Sequence, residues 1–269
     1  MSGTAPRPLL IDCARMQLRV IGALIIREMH TRFGRRRFGY LWLFFEPLLL
    51  GGMIALIHGS GLRGGGGGGD SLRGTFEFFS MGYVLLFALR GMINRAGNTI
   101  GSNRGLLYHR QVTLPDLFFA RHIIEGVACT GVMAIFTMAG IALGGEPPDS
   151  PMKMICALGL MVLMGQGLAL VIGAVTSEWE AIDRLVHAMT YLMMPISGLF
   201  FMVEWLPEWA QDAAMWVPTV SLFELLRDGQ FGDRVTAHYD LAYVGYWILI
   251  PHLLGLAGLR IARTRIGLE

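Results

Sequence analysis

The chain has 269 residues, of which 54% are hydrophobic and 16% are charged, and its formal net charge is +2. A mean hydropathy of +0.52 is too apolar for a soluble domain of this length. The basic residues flank apolar segments and form no continuous stripe, which argues against nucleic-acid binding. The composition therefore indicates an integral membrane protein.

The first segment with helical periodicity runs from Asp12 to Arg32. Basic side chains recur on one side at 100° per residue, and aliphatic side chains recur on the other. This pattern predicts an amphipathic helix in the plane of the membrane. An ordinary surface helix packed on protein is the alternative.

The stretch Arg27–Pro47 changes from basic to apolar within a few residues. We expect its guanidinium groups near anionic headgroups and the rings of Tyr40 and Trp42 in the interfacial belt. The residues assigned to this basic interface are Arg27, Arg32, Arg35, Arg36 and Arg37.

Six apolar segments approach the ~20 residues needed to cross a bilayer. They are Leu41–Ile57, Phe76–Asn94, His122–Leu143, Met154–Thr176, Leu185–Val203 and Leu241–Leu259. The loops that this arrangement assigns to the cytoplasm hold sixteen Arg and Lys residues, and the outer loops hold five. The bias predicts an even number of crossings with both termini cytoplasmic.

The predicted outer loops differ in kind. Gly64–Gly69 is a run of six glycines, which is typical of a flexible tether, and we assign it no chemistry. Glu204–Asp240 is longer and contains two apolar pieces, Ala213–Val217 and Val220–Leu226, that are too short to cross. They predict re-entrant helices and a gate at the outer surface.

No catalytic, ATP-binding or metal-binding motif is present. A phosphate-binding loop needs a lysine before Ser or Thr, and the only lysine, Lys153, precedes Met154. HExxH and GxSxG are also absent. Intramembrane charges are the remaining candidates, namely Glu46, Arg90 and Glu125. Arg90 either snorkels to the inner end of its span or has a functional role.

The cytoplasmic loop Asn94–Arg121 is too long for a simple turn and mixes apolar with charged residues. We interpret it as an exposed surface that docks to another protein, with a solvated loop as the alternative. The acidic turn Ser177–Arg184 lies on the same face. The residues assigned to docking are Asn103, Arg104, Leu106, Leu107, Tyr108, Asp116, Glu178 and Trp179.

Three motifs occur in order along the chain. They are REMHTRFGRRRFGYLWLFFEP at residues 27–47, NRGLLYHRQVTLPDLFFAR at residues 103–121 and PISGLFFMVEWLP at residues 195–207. Together they resemble the ABC-2 type permeases that export capsular polysaccharide and related lipid-linked surface glycans. The resemblance covers roughly residues 20 to 260. The polyglycine run departs from the family pattern and leaves the conformation of that loop open.

The resemblance implies an all-α membrane protein with six transmembrane helices, an amphipathic interface helix within residues 1–40, and re-entrant helices between spans 5 and 6. The transmembrane domain would cover residues 41–260, and residues 261–269 would form a cytoplasmic tail. By position, Arg27–Gly39 would form the interface helix and its turn. Asn103–Arg121 would contain or follow the helix that couples to an ATPase, and Pro195–Pro207 would shape the outer end of the channel.

The same resemblance implies a homodimer in the bacterial inner membrane, bound to two ATPase subunits that use ATP and Mg²⁺. This chain would be no enzyme and would hold no cofactor of its own. Membrane lipids, periplasmic export proteins and a lipid-linked polysaccharide would be its other partners. An ABC-2 exporter of a small lipid or drug, and a membrane-embedded glycan-processing enzyme, are the alternatives.

A polymer moves through a channel most easily when many weak contacts hold it, and aromatic rings can supply such contacts to sugar C–H groups. For each aromatic residue, packing against lipid or a neighbouring helix is the alternative. The residues assigned to the channel and gate are Tyr40, Trp42, Glu46, Arg90, Pro195, Phe200, Phe201, Trp205, Tyr243, Tyr246 and Trp247. Further aromatic candidates are Phe44, Phe45, Tyr83 and Tyr191.

Overall fold

The computed structural model describes residues 10–33, 45, 48–53, 69–107, 112–179 and 181–265. These residues form helices and connecting turns, and no strand occurs among them. The long helices are α1 (Leu10–Phe33), α3 (Gly69–Gly101), α5 (Leu114–Ala142), α6 (Pro151–Thr176), α7 (Ala181–Ile196) and α10 (Leu241–Arg265). The short ones are α2 (48–53), α4 (Arg104–Leu107), α8 (Glu208–Met215) and α9 (Pro218–Phe231), with 3₁₀ turns at Val203–Trp205 and Gly232–Arg234.

Four helices in the described part of the chain are long and apolar enough to cross a membrane. They match the predicted second, third, fourth and sixth spans, and they run over Phe76–Gly101, Leu114–Ala142, Pro151–Thr176 and Leu241–Thr264. Most of the predicted first span lies outside the described residues, and α2 falls within it. The helix at the position of the predicted fifth span is shorter than predicted. Its helix has 16 residues and ends at Ile196, before a turn in which Gly198 has a φ of +99°.

Helix α6 lies at the centre of the bundle and contacts α3, α5, α9 and α10. Small residues allow the closest of these approaches. Gly255 and Gly258 of α10 face Leu170 and Ala174 of α6, so their missing side chains let the two backbones come together. Such small-residue interfaces are typical of helices that pack within a membrane.

The predicted loop Asn94–Arg121 is mostly helical, so that expectation is wrong. Helix α3 continues to Gly101 and α5 begins at Leu114, which leaves only residues 102–113 between them. The Thr113 amide donates a hydrogen bond to the Asp116 carboxylate at 2.8 Å, and Pro115 occupies the first turn. These are signals of a helix start, and they place it at Leu114, eight residues before the predicted span start at His122.

The segment after α7 contains the short helices that its sequence predicts. Helix α9 includes the apolar piece Val220–Leu226 and is buried along that length. It packs on α6, and the Ser150 amide donates to the Gly229 carbonyl at 2.8 Å. The other piece, Ala213–Val217, spans the end of α8 and the turn after it.

Candidate functional site

A cavity of about 420 Å³ opens between α3 and α7, with α2 at its edge. Aromatic and apolar side chains line one part of it, and basic and amide side chains line the other. The lining residues are Leu50, Tyr83, Leu86, Phe87, Arg90, Gly91, Asn94, Arg95, Tyr191 and Met194. We call this space the α3–α7 cavity.

Helix α3 presents Tyr83, Phe87, Arg90 and Asn94 to the cavity, and their spacing of three or four residues places them on one face. The Arg90 guanidinium lies over the Tyr191 ring, with its carbon 4.3 Å from the ring centroid. The side chain therefore points sideways toward α7 and not along α3 toward the helix end.

The length of α3 bears on the two interpretations of Arg90. The sequence predicts a span that ends at Asn94, which would put Arg90 within one turn of its inner end. The helix instead continues to Gly101, so Arg90 lies about 16 Å from that end at 1.5 Å per residue. Arg90 is thus a charge in the middle of an apolar helix, where ionisable groups usually mark a functional site.

A second arginine of the cavity, Arg95, is paired. Its guanidinium binds the carboxylate of Glu125, which is buried in α5. Gly91 makes room for this carboxylate, because a Cβ there would lie 3.2 Å from Glu125 Cδ. Glu125 therefore neutralises one of the two positive charges and ties α3 to α5.

Helix α1 is held to the bundle by a polar cluster centred on Arg121 of α5. Arg121 Nε lies 2.8 Å from the Glu28 carboxylate of α1, and its Nη1 donates to Thr99 Oγ1 of α3 at 2.9 Å. Arg27 donates to the buried Asn103 amide oxygen at 2.8 Å, and Gln17 donates to Asp116. We call these contacts the α1 junction.

The α1 junction places several predicted docking residues in the interior. Leu107 is 5% exposed and packs against α1 and the start of α5, while Asn103 and Asp116 are also buried. The expectation that these three side chains form an exposed surface is wrong. They join elements within the chain, because the predicted loop is folded into helix ends.

The turn at residues 177–179 does present the expected exposed surface. Trp179 is 67% exposed, and Glu178 is exposed beside it. The Trp179 carbonyl accepts a hydrogen bond from the Ile182 amide at 3.1 Å, which joins this turn to the first turn of α7. Gly97 of α3 faces Asp183 of α7, so the turn lies at the same end of the bundle as the α1 junction.

At the opposite end, Arg227 of α9 fixes the segment that follows α7. Its guanidinium donates to the carbonyls of Gly198, Leu199 and Phe201 and lies 3.7 Å from the Glu224 carboxylate. Burial lowers the pKa of Arg227 to about 9, and the Glu224 carboxylate opposes this shift. Arg227 therefore remains charged at neutral pH.

Glu224 extends this contact to two further segments. Its carboxylate accepts hydrogen bonds from the Val203 and His238 amides, both at 3.1 Å. The Arg227 guanidinium also lies 3.8 Å from the Phe78 ring, on which the exposed Trp205 indole stacks. We call Arg227, Glu224 and these partners the hairpin clamp.

The predicted channel and gate residues do not form one surface. Within the described part, Arg90 and the aromatic candidates Tyr83 and Tyr191 line the α3–α7 cavity, and the other predicted residues do not. Phe200 lies against Phe79, and Trp205 belongs to the hairpin clamp. Phe201 contributes its carbonyl to that clamp, and Pro195 is exposed near the end of α7.

The three aromatic residues predicted on α10 lie elsewhere. The Tyr243 hydroxyl donates to the Trp216 carbonyl at 2.7 Å, and its ring meets Trp247 edge-on. Tyr246 is 63% exposed. Since α10 packs mainly on α6, these rings lie apart from the α3–α7 cavity in this single chain, and their assignment to a channel stays a prediction.

Other predicted site residues fall outside the described residues or have undescribed side chains. They are Arg32, Arg35, Arg36, Arg37, Tyr40, Trp42, Glu46, Arg104 and Tyr108.

Several residues of the site were not predicted. Asn94, Gln17 and Arg121 occur in ordinary polar contexts, and their partners lie up to 99 residues away in the sequence. Arg227 gave a signal that could have been used, because it lies three residues after Glu224, at the spacing of a helical ion pair, within an apolar stretch of a loop assigned to the outer surface. Within the described ranges, no group of three potential metal ligands comes together.

Comparison with known proteins adds the family. The model of the ABC-2 type transporter family matches residues 19–231. The chain is 36% identical to the capsule polysaccharide export inner-membrane protein CtrC of Neisseria meningitidis serogroup A, over 96% of each chain. It is 35% identical to the capsule polysaccharide export inner-membrane protein BexB of Haemophilus influenzae, over 90% of each.

A more distant relative is the polysialic acid transport protein KpsM of Escherichia coli, which is 25% identical over 91% of this chain and 93% of the relative. The family match covers most of the sequence, including the α3–α7 cavity and all of the α1 junction and the hairpin clamp except Gln17 and His238. The chain therefore belongs to the ABC-2 type transporter family.

Proposed function

We propose that this chain is the membrane-spanning permease subunit of a transporter that exports capsule polysaccharide. The observation that carries the proposal is the 36% identity over 96% of both chains to a capsule polysaccharide export inner-membrane protein. Two other relatives also have names that describe polysaccharide transport. The substrate is a lipid-linked polymer, and the chain works in the bacterial inner membrane.

The transporter consists of two copies of this chain and two separate ATPase subunits that hydrolyse ATP with Mg²⁺. A second copy is supported by the outer face of α7, which exposes the apolar side chains Leu185, Met189, Leu192 and Ile196. In a single chain, the α3–α7 cavity is open on one side. A second copy that faces this opening would close the cavity into a channel.

The ATPase binds the end of the bundle that carries the α1 junction and the 177–179 turn, which we place in the cytoplasm together with both termini. The excess of Arg and Lys in the segments at this end supports that orientation. The exposed Trp179 is the part of this surface best suited to a partner, because large aromatic residues dominate binding at protein interfaces.

Coupling follows from the placement of α7. This helix begins beside Trp179 and carries Tyr191 to the α3–α7 cavity three turns later. Movement of the turn by the ATPase would shift Tyr191 relative to Arg90 and change the width of the cavity. The first span within residues 41–57, the α7 span and the re-entrant arrangement of α8 and α9 complete the six-span permease.

Glycan fractionation tests the proposed function. In cells that lack this chain, we expect polymer to accumulate inside on its lipid anchor while the cell surface is bare, and a plasmid-borne copy to restore export. Normal surface polymer would contradict the proposal and favour a small-molecule exporter. Loss of polymer in both fractions would contradict it in favour of a role in synthesis.

A further inference from the structure

We propose that the α3–α7 cavity is an anion-binding site in which Arg90, oriented by Tyr191 and assisted by Asn94, binds an oxyanion of the exported molecule. The oxyanion is a carboxylate or phosphate, carried either by the sugar units or by the lipid anchor. This inference rests on the proposed function and adds the chemical class that the cavity accepts.

The first support is the charge of the cavity wall. Among the described residues, two arginines line it and no acidic residue does. The Glu125 carboxylate pairs with Arg95 and neutralises its charge. Within the described part of the chain, Arg90 has no carboxylate partner, so its full positive charge faces the cavity.

The second support is a set of hydrogen-bond donors without acceptors. Arg90 Nε is buried and has no hydrogen-bond partner among the described residues. Asn94 Oδ1 accepts from the Thr190 hydroxyl at 3.0 Å, which leaves the Asn94 amino group to donate. A wall that presents a guanidinium and an amide NH₂ group suits a carboxylate or phosphate, because an oxyanion accepts hydrogen bonds and donates none.

Arg227 shows how an arginine with a purely structural role differs from Arg90. Arg227 is also buried, but three carbonyls and the Glu224 carboxylate satisfy it inside the protein. Within the part of the chain that the structure describes, Arg90 has only the Tyr191 ring. A mid-helix charge that has no counter-ion among the described residues is placed to meet one from outside the chain.

The Tyr191 ring sets the geometry of the site. A guanidinium over an aromatic face keeps its N–H groups directed outward in its own plane, where they can meet two oxygens at once. Since α7 carries the ring and α3 carries the arginine, separation of these helices would release the guanidinium. Binding would thus be strong when the helices are close and weak when they part, which lets a charged polymer advance.

Binding measurements on the full transporter, reconstituted with its ATPase in neutral-lipid nanodiscs, test the inference. The probes are a fluorescent sialic acid hexamer, the same hexamer with its carboxyl groups reduced to alcohols, and lyso-phosphatidylglycerol as competitor. We expect the wild-type chain to bind the acidic hexamer about tenfold more tightly than the reduced one, and this preference to fall with salt.

Arg90→Gln should abolish the preference without changing the affinity for the reduced hexamer. Arg90→Lys should keep part of it, which shows that the site is folded. Tyr191→Leu should weaken the preference, and Tyr191→Phe should keep it. The matched control is Arg184→Gln, which removes an equal charge from the exposed face of α7 and should leave the preference intact.

The competitor separates the two sources of the oxyanion. Binding of the lipid phosphate that depends on Arg90, with equal binding of the two hexamers, would support the anion site and assign it to the anchor. Arg90-dependent preference for the acidic hexamer alone would assign it to the sugar acids.

The inference is overturned if neither the acidic hexamer nor the lipid phosphate loses affinity in Arg90→Gln, or if Arg184→Gln loses as much. Such a result with export intact in the fractionation assay would leave the proposed function standing.

Discussion

Replacing Arg227 by methionine should destabilise the protein strongly. The side chain is 2% exposed and its partner Glu224 is 1% exposed, so water cannot take over their contacts. Methionine fills a similar volume but cannot donate to the carbonyls of Gly198, Leu199 and Phe201. It also leaves the Glu224 carboxylate buried with two amide donors and no positive charge.

The magnitude follows from this burial. Removing one partner of a buried ion pair costs about 3–5 kcal/mol, because the remaining charge stays desolvated. At about 2–4 °C per kcal/mol for a chain of this size, the melting temperature should fall by about 6–20 °C. Glu224→Gln in the Arg227→Met background should restore part of the loss, since the unpaired carboxylate is then absent.

A nearby arginine provides the matched control. Arg234 also pairs with a carboxylate, that of Glu146 at 2.9 Å, but the two side chains are 51% and 73% exposed. An exposed pair is worth about 0–1 kcal/mol, so Arg234→Met should lower the melting temperature by less than about 4 °C. Thermal unfolding in nanodiscs, followed by tryptophan fluorescence, measures both variants. Equal shifts for Arg227→Met and Arg234→Met would refute the reasoning.

Three further perturbations test other parts of the fold. Gly255→Ala should lower the free energy of unfolding by about 1–3 kcal/mol, because the new Cβ would lie 2.8 Å from the Val171 amide nitrogen. Gly245 has open space around it, so Gly245→Ala should leave the stability nearly unchanged. The melting temperatures of the two variants test this difference. Arg121→Gln should release α1, and hydrogen exchange of α1 amides should accelerate by about tenfold or more if the α1 junction holds the helix. Trp179→Ala should weaken ATPase binding by about tenfold in pull-down titrations and leave the melting temperature unchanged. An unchanged affinity would show that Trp179 does not contact the ATPase.

Apolar runs in the sequence located the helices well, but not their ends. Hydropathy predicted α5 from His122, yet the helix begins at Leu114, where Thr113, Pro115 and Asp116 start it. The first turns of α5 are largely apolar, but they include Asp116 and Arg121, which bind α1, so a span that starts after the last of these charges misses them. The capping signal was present in the sequence and would have corrected the boundary.

The candidate site was predicted only in part, because its residues come from distant segments. Arg90 stood out as a charge in an apolar helix, and Tyr191 stood out as an aromatic candidate. Nothing local shows that one lies over the other across α3 and α7. Likewise, the mixed character of Leu107 and Asp116 indicated an interface, but the partner proved to be α1 of the same chain.

The hairpin clamp determines which segments move together, and the boundary between them lies at the end of α7. Residues 198–203 and 238 are bound to α9, and α9 is anchored on α6, so this outer piece travels with the central helix and not with α7. Helix α7 buries only Thr190 and is fixed through few contacts. It can therefore tilt as a stiff rod between two joints, at Trp179 and near Ser197. Residues 179 and 191 are about 18 Å apart along this rod. Cross-links that join α7 to α3 should then block transport while the hairpin clamp stays intact.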